Sequence, residues 1–235
     1  MGTVQHDSPV LRASLTVPTP GWLAYDPSEA RAHTIDGRPA PSVTQILKTA
    51  RLSSDFSMVA ADVLERKRAI GQAAHAATHY HDEGDLVVRS VDPQVEPYLE
   101  AWRLFRAERR FQPVLLETVV ASKVHHYIGR FDRLGTVDDN QWVYVLLDMK
   151  TGDPDAGGAQ WQLAAYEAAL REMVPDLAPY TILRWSVQLR PDGTYNLEQY
   201  PKHGRTNRQD RHEFHAAACL VNVWSAQQRG QPSWR

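Results

Sequence analysis

The sequence predicts an α/β (α+β) fold, a central mixed β-sheet flanked by helices. Three observations lead there. The first half of the chain carries helical patterning. From residue 114 onward, short runs rich in Val, Leu, Ile and aromatics follow one another. The last third then alternates helix, strands and helix, an order that packs helices against a sheet.

Each element has a local reason. Residues 1–20 read as a loose arm, because Pro18 and Pro20 oppose regular structure. Asp36-Gly37 is a turn signal, preceded by a short strand at His33–Ile35. Ser42 is an N-cap that opens a helix beginning Val43-Thr44-Gln45-Ile46-Leu47-Lys48. A long helix is expected from about Ser57 to His81, with Val59, Val63, Ile70 and Ala74 on one apolar stripe and Gly84 beyond its end. Another spans about Pro93 to Arg110, with Tyr98, Trp102 and Phe105 sharing a face. Val114–Ser122, Tyr127–Leu134 and Trp142–Met149 read as strands, with Asp138-Asp139-Asn140 turning between the last two. Gly157-Gly158 precedes a helix over Ala159 to Met173, which Pro175 stops. Strands at Tyr180–Leu189 and Tyr195–Tyr200 flank Pro191-Asp192-Gly193, and a final helix covers Arg208 to Gln228.

Composition narrows the function. The 235 residues are 43% hydrophobic and 23% charged, which suits one ordered domain. No apolar run reaches the roughly 20 residues of a membrane helix, so no membrane partner is expected. Met1 to Thr19 has no apolar signal core, and a cytoplasmic setting is the expectation. Cys219 is the single cysteine, which excludes an internal disulfide, an iron–sulfur cluster and a cysteine-rich zinc site. The net charge of -2 argues against bulk attraction to nucleic acid but leaves room for a local basic surface.

The chemistry centres on Asp148-Met149-Lys150. Strand alternation puts Asp148 and Lys150 on one face at the end of a run, Val143 to Leu147, that reads as interior. Buried charges there need a partner; the alternative is that the strand has reached solvent. Asp132 sits on the preceding strand, and hairpin pairing would bring it near Asp148. Two adjacent carboxylates repel, and a cation between them resolves the repulsion. Glu117 would add a third carboxylate. Oxygen ligands of this kind suit Mg²⁺ or Mn²⁺, one ion or two, better than zinc. His75 follows Gly71 by one helical turn; a His75/His79 zinc pair is the weaker rival. Gln162 and Tyr166 lie one turn apart on the next helix and can point back at the strand end.

The series Gly71-x-x-x-His75, Glu117, Gly129-x-x-Asp132, Asp148-x-Lys150-Thr151-Gly152 and Gln162-x-x-x-Tyr166 resembles the RecB-like branch of the PD-(D/E)XK nucleases. Asp36-Gly37-x-x-x-Pro41-Ser42-Val43-Thr44-x-Ile46-Leu47 is similar to a lead-in of its phage and mitochondrial exonucleases. The resemblance spans residues 33–170. It implies a restriction-endonuclease-like core in one nuclease domain, residues 21–235. That domain has a helical part at about 42–111, a catalytic core at about 112–200 and a C-terminal helix at about 208–228. It implies metal ligation by Asp132, Asp148 and His75, and a Lys150 that orients or activates water and stabilises phosphate charge. Glu117 would support the metal or its water, and Gln162 and Tyr166 the DNA or the carboxylates. Phe131 stands where the superfamily pattern places Pro. No Walker A motif is present, so no helicase motor is expected in this chain.

The resulting expectation is a metal-dependent DNA exonuclease acting at single- or double-stranded ends. Its setting would be recombination, repair or replication of bacterial or phage DNA, with or without a partner protein. A structure- or sequence-specific endonuclease and a non-cleaving DNA-binding or assembly module remain as alternatives. For the DNA grip, Lys202, His203, Arg205, Arg208 and Arg211 cluster at the start of the last helix, with Arg205 and Arg208 as the chosen phosphate contacts. A solvated, mobile loop is the other reading, with Arg103, Arg106, Arg109 and Arg110 next in line.

Overall fold

The computed structural model describes residues 15–25, 33–54, 59–138, 140, 142–154 and 158–228. Most of the expected arm, the expected helix start at Ser57, Asp139 and Gly157 lie outside them. The element order is β1 (Leu23–Ala24), β2 (Thr34–Ile35), β3 (Arg38–Pro39), α1 (Val43–Thr49), α2 (Ala61–Glu83) and α3 (Glu96–Glu108). It continues with β4 (Gln112–Ser122), β5 (Tyr127–Thr136), β6 (Val143–Lys150), α4 (Ala159–Met173), β7 (Thr181–Leu189), β8 (Tyr195–Tyr200) and α5 (Asn207–Gln228). No helix among the described residues is long and apolar enough to cross a membrane.

The lead-in forms as its residues dictate. Asp36 and Gly37 take φ values of 50° and 72°, the left-handed pair that a tight β2–β3 hairpin needs. At α1 the Ser42 hydroxyl accepts from the Gln45 N–H at 3.1 Å while the Gln45 side chain accepts from the Ser42 N–H at 2.8 Å. This reciprocal cap fixes the start of the helix, whose Val43, Ile46 and Leu47 are buried.

The main sheet has the order β4-β5-β6-β7-β8. All its pairings are antiparallel except β6 with β7, which is parallel. A parallel neighbour requires a crossover, and α4 supplies it. Alternation along β6 divides the core between the two faces. Tyr144 and Leu146 join the side chains of α1, α4 and α5, while Val145, Leu147 and Met149 join Ala74 and Ala77 of α2 and the Trp102–Phe105 cluster of α3. Charge is buried as well. Arg184 on β7 donates to the Gln160 carbonyl, Asn207 Oδ1 and Asp210 Oδ2 at 2.9, 2.7 and 2.8 Å, tying α4 and α5 to the sheet.

One expectation fails. Val59, which precedes α2, and Val63 are 37% and 40% exposed, so of the apolar stripe expected along the long helix only Ile70 and Ala74 pack on the core. The buried residues of α2 are Ala74, Ala77 and Thr78, with the Asp82 side chain one turn further on. Only the second half of α2 lies on the sheet, and there small residues allow a close approach. A Cβ at Gly71 would stand 3.2 Å from the Thr151 hydroxyl just past the end of β6.

Removing Asp210 would leave the Arg184 guanidinium buried without its closest carboxylate. Asp210→Ala should therefore lower unfolding free energy by about 3 kcal/mol or more. The expected reading is a lower urea midpoint with an unchanged m-value.

Candidate active site

β6 ends in Asp148 and Lys150, which face α4 as alternation requires. Lys150 Nζ lies 2.9 Å from Asp148 Oδ1, and the Ser186 hydroxyl donates to the Asp148 carbonyl and Oδ2 at 3.1 and 3.3 Å. The β5–β6 register pairs Arg133 with Leu147, so one step further sets Asp132 opposite Asp148. Asp132 Oδ2 accepts the Met149 N–H at 2.7 Å. On α4, Gln162 Oε1 is 3.4 Å from Lys150 Nζ, and Gln162 donates to the Tyr166 hydroxyl at 3.0 Å. Tyr166 packs over Gly129, where any Cβ would stand 2.3 Å from the ring. That contact explains the glycine three residues before Asp132.

Glu117 and His75 complete the group. Leu116 and Thr118 pair across β5 with Arg133 and Phe131, but Glu117 between them has φ 44°, a left-handed conformation unusual for a strand residue. Such backbone strain costs about 1–3 kcal/mol and is typical of functional sites. His75, on α2, places Nε2 3.1 Å from the Met149 carbonyl. A carbonyl only accepts, so in that bond Nε2 carries the hydrogen and Nδ1 of the neutral ring keeps its lone pair. Nδ1 lies 3.9 Å from Asp132 Oδ1 and 4.0 Å from Glu117 Oε1. Ligand atoms of His75, Glu117 and Asp132 all fall within 4.8 Å of one another. One imidazole and two carboxylates fit a Mg²⁺- or Mn²⁺-type ion with open positions for water and substrate. Asp148, expected to share ligation with Asp132, borders this cluster with Lys150 and Ser186 as its partners.

Burial and neighbouring charge together set the electrostatics of the group. Burial, with Asp148 adding to it, pushes Asp132 above the usual carboxylate range, although His75 and Lys150 pull the other way. Burial alone would lower His75, but Asp132 and Glu117 outweigh it and raise the imidazole. Lys150 is likewise depressed by burial but raised on balance by Asp148 and Asp132. Glu117 is raised by burial, yet His75, Arg130 and Arg133 hold it below its ordinary value. Burial pushes the Tyr166 hydroxyl strongly up, so it stays neutral.

The group sits in a cleft of about 770 Å³ between α2 and the sheet. Lys67 and Arg68 of α2 and Arg130 of β5 line it, with Tyr80, which is 51% exposed. Sequence reasoning missed these four. The signal available was the basic run Arg66-Lys67-Arg68 just before Gly71. The grip chosen from sequence is placed elsewhere. Arg205 is engaged by Asp210 at 2.7 Å and by Glu213, Arg208 is exposed, and neither lines the cleft. Of the next candidates, Arg103 pairs with Glu100 and Arg106 with Asp82. His79, the other half of the rival zinc pair, pairs with Glu83 at 3.3 Å, while His75 groups with Glu117 and Asp132.

A mixed sheet whose central strand ends in an aspartate and a lysine, beside a second strand's aspartate, defines a class of metal-assisted phosphodiester hydrolases. A family profile for the PD-(D/E)XK nuclease superfamily matches residues 51–229, and the chain belongs to that superfamily. Among solved structures it is similar to a candidate exonuclease from Eubacterium rectale, at 8% identity and a TM-score of 0.47, over 69% of each chain. No curated protein matches the sequence.

The raised pKa values of His75 and Asp132 set a pH dependence. A group raised on folding contributes stability below its unfolded pKa and loses that contribution as pH rises through its folded value. Asp132 loses its share above the carboxylate range and His75 above about pH 6.5. The lowered Glu117 acts oppositely, its share being lost on acidification. Above neutrality the His75–Glu117–Asp132 group is therefore least stable by itself, and a cation there would meet least competition from protons. Mn²⁺ should raise the melting temperature more at about pH 8 than at about pH 6, on either side of the imidazole range. Asp132→Asn should abolish that shift while raising the melting temperature in chelator.

Proposed function

We propose that this nuclease is a divalent-metal-dependent deoxyribonuclease of the RecB-like branch that degrades DNA from its ends. The observation carrying the reading is the convergence of His75, Glu117, Asp132 and Lys150, the last held from behind by the buried Asp148, in one cleft bordered by cations. The motif series supports end-directed action, in recombination, repair or replication of bacterial or phage DNA.

His75, Glu117 and Asp132, with Asp148 adjoining, would hold the ion. When bound, it lowers the pKa of a coordinated water and offsets charge on the phosphate. The chain's own groups do the rest. Hydrolysis adds water across one P–O bond, so a proton leaves the water and one reaches the departing oxygen. Lys150, its pKa raised, stays protonated at neutral pH and acts as a hydrogen-bond donor and charge stabiliser rather than as a base. Asp148 and Gln162 hold its ammonium in place. Glu117, held below its ordinary value by His75, Arg130 and Arg133 against its burial, would supply a carboxylate to the ion or its water. Lys67, Arg68 and Arg130 are placed to receive flanking phosphates, and Tyr80 offers a face to a base.

End-labelled linear DNA should be digested with Mg²⁺ or Mn²⁺ and spared in chelator, while closed circular DNA resists. Lys150→Ala should lower kcat by about a hundredfold or more with DNA binding retained, since its role lies in the transition state. Cleavage in excess chelator would overturn the metal mechanism, and cleavage of the circle would turn the reading to an endonuclease.

Lys67→Ala with Arg68→Ala should weaken binding of all sequences alike and flatten the plot of log K against log salt by about one unit per lost contact. Arg205→Ala with Arg208→Ala should leave the slope unchanged. Binding isotherms at several salt concentrations check both.

A further inference from the structure

The three residues of the ligand cluster come from three elements, α2, β4 and β5, and one buried guanidinium is bonded to all of them. Arg133 follows Asp132 on β5, and its side chain is 0% exposed. Its Nη1 donates to the Asp132 carbonyl at 2.7 Å and to Glu117 Oε1 at 3.2 Å. Its Nε donates to Asp82 Oδ2 at 2.8 Å. Asp82 lies on α2 two turns beyond His75, and its carboxylate is also fully buried. It is held from the other side by Trp102 Nε1 at 2.9 Å and Arg106 Nη1 at 2.8 Å. Between them, the Thr78 hydroxyl donates to the His75 carbonyl at 2.9 Å and lies 3.5 Å from Arg133 Nη2.

This arrangement has a directional consequence. A guanidinium presents its donors in a rigid plane, so fixing one edge fixes the other. Asp82 fixes the edge toward α2 and α3, and the opposite edge then dictates where Glu117 Oε1 sits. Glu117 has a strained backbone and carries two arginines on its carboxylate, Arg133 at 3.2 Å and the half-exposed Arg130 at 3.2 Å. The buried arginine is thus the anchored one of the two. Neither Asp82 nor Arg133 lines the cleft, so neither is placed to touch substrate.

We propose that Arg133, locked by Asp82, is a positioning residue of the metal site. It holds Glu117 against its backbone strain and sets the spacing of His75 from Asp132 by clamping α2 to β5. This rests on the reading of His75, Glu117 and Asp132 as metal ligands. A buried ion pair whose work is only to stabilise the fold would leave metal affinity alone; a positioning pair would not.

The test uses the full chain with three readouts: melting temperature, Mn²⁺ affinity by titration calorimetry without DNA, and kcat and KM on linear DNA. Asp82→Asn should weaken Mn²⁺ binding by about tenfold to a hundredfold, the usual effect of losing a group that orients a ligand. It should lower kcat at saturating metal with KM for DNA within about twofold of wild type. Combined with Glu117→Gln it should add little to that substitution alone, because both act through one carboxylate. Wild-type Mn²⁺ affinity and kcat in a folded Asp82→Asn protein, or full additivity with Glu117→Gln, would overturn the proposal. If Asp82→Asn does not fold, Arg133→Lys decides on the same readouts. It keeps the charge but loses the planar fork, and wild-type Mn²⁺ affinity there would equally overturn it. A wild-type chain that neither binds Mn²⁺ nor cleaves DNA would instead remove the metal-site reading itself.

Discussion

Antiparallel pairing of β5 with β6 brings Asp132 and Asp148 to the same end of the sheet, and carboxylates so placed repel. Much of the surrounding structure compensates for that repulsion. Lys150 and Ser186 take Asp148, the Met149 N–H takes Asp132, and His75 turns Nδ1 toward Asp132. Burial, with Asp148 adding to it, still leaves the Asp132 carboxyl raised, a shortfall in the stabilisation of its charge. An ion-binding site needs that shortfall: carboxylates fully satisfied by the protein would have little free energy to gain from a cation.

Close approach is the second requirement, and glycines and small residues provide it. Gly129 lets the Tyr166 ring lie on β5, which carries Gln162 over the end of β6. Gly71 lets α2 settle against Thr151, which carries His75 to the Met149 carbonyl. The spacing of each glycine from its functional partner therefore has a steric cause. The cation-bearing first half of α2 extends past the sheet, so Lys67 and Arg68 border the cleft without being buried in it.

Two buried arginines organise the two faces. Arg184 joins β7 to α4 and α5 on one side; Arg133 joins β5 to α2 and β4 on the other. Each is a long planar donor that bridges elements distant in sequence, and each depends on a buried aspartate. Buried ion pairs are weak sources of net stability because of desolvation, so their value here lies in fixing geometry.

What the sequence by itself determined is the content of each element. The period of two along β6 placed Asp148 with Lys150, the helical turn placed Gln162 with Tyr166, and the Ser42–Gln45 spacing announced the cap of α1. These are local consequences of backbone geometry, readable without knowing what lies across the sheet. Tertiary structure decided the rest. It set Glu117, in a left-handed backbone, beside His75 and Asp132. It gave His75 a carbonyl partner that sets its tautomer, exposed the first half of α2, and tied Arg205 to Asp210 and Glu213, away from the cleft. The Asp82–Arg133 clamp joins residues 51 positions apart and follows no periodic pattern. Such pairings depend on how helices dock on a sheet, a balance of packing and desolvation over the whole chain that no local spacing encodes.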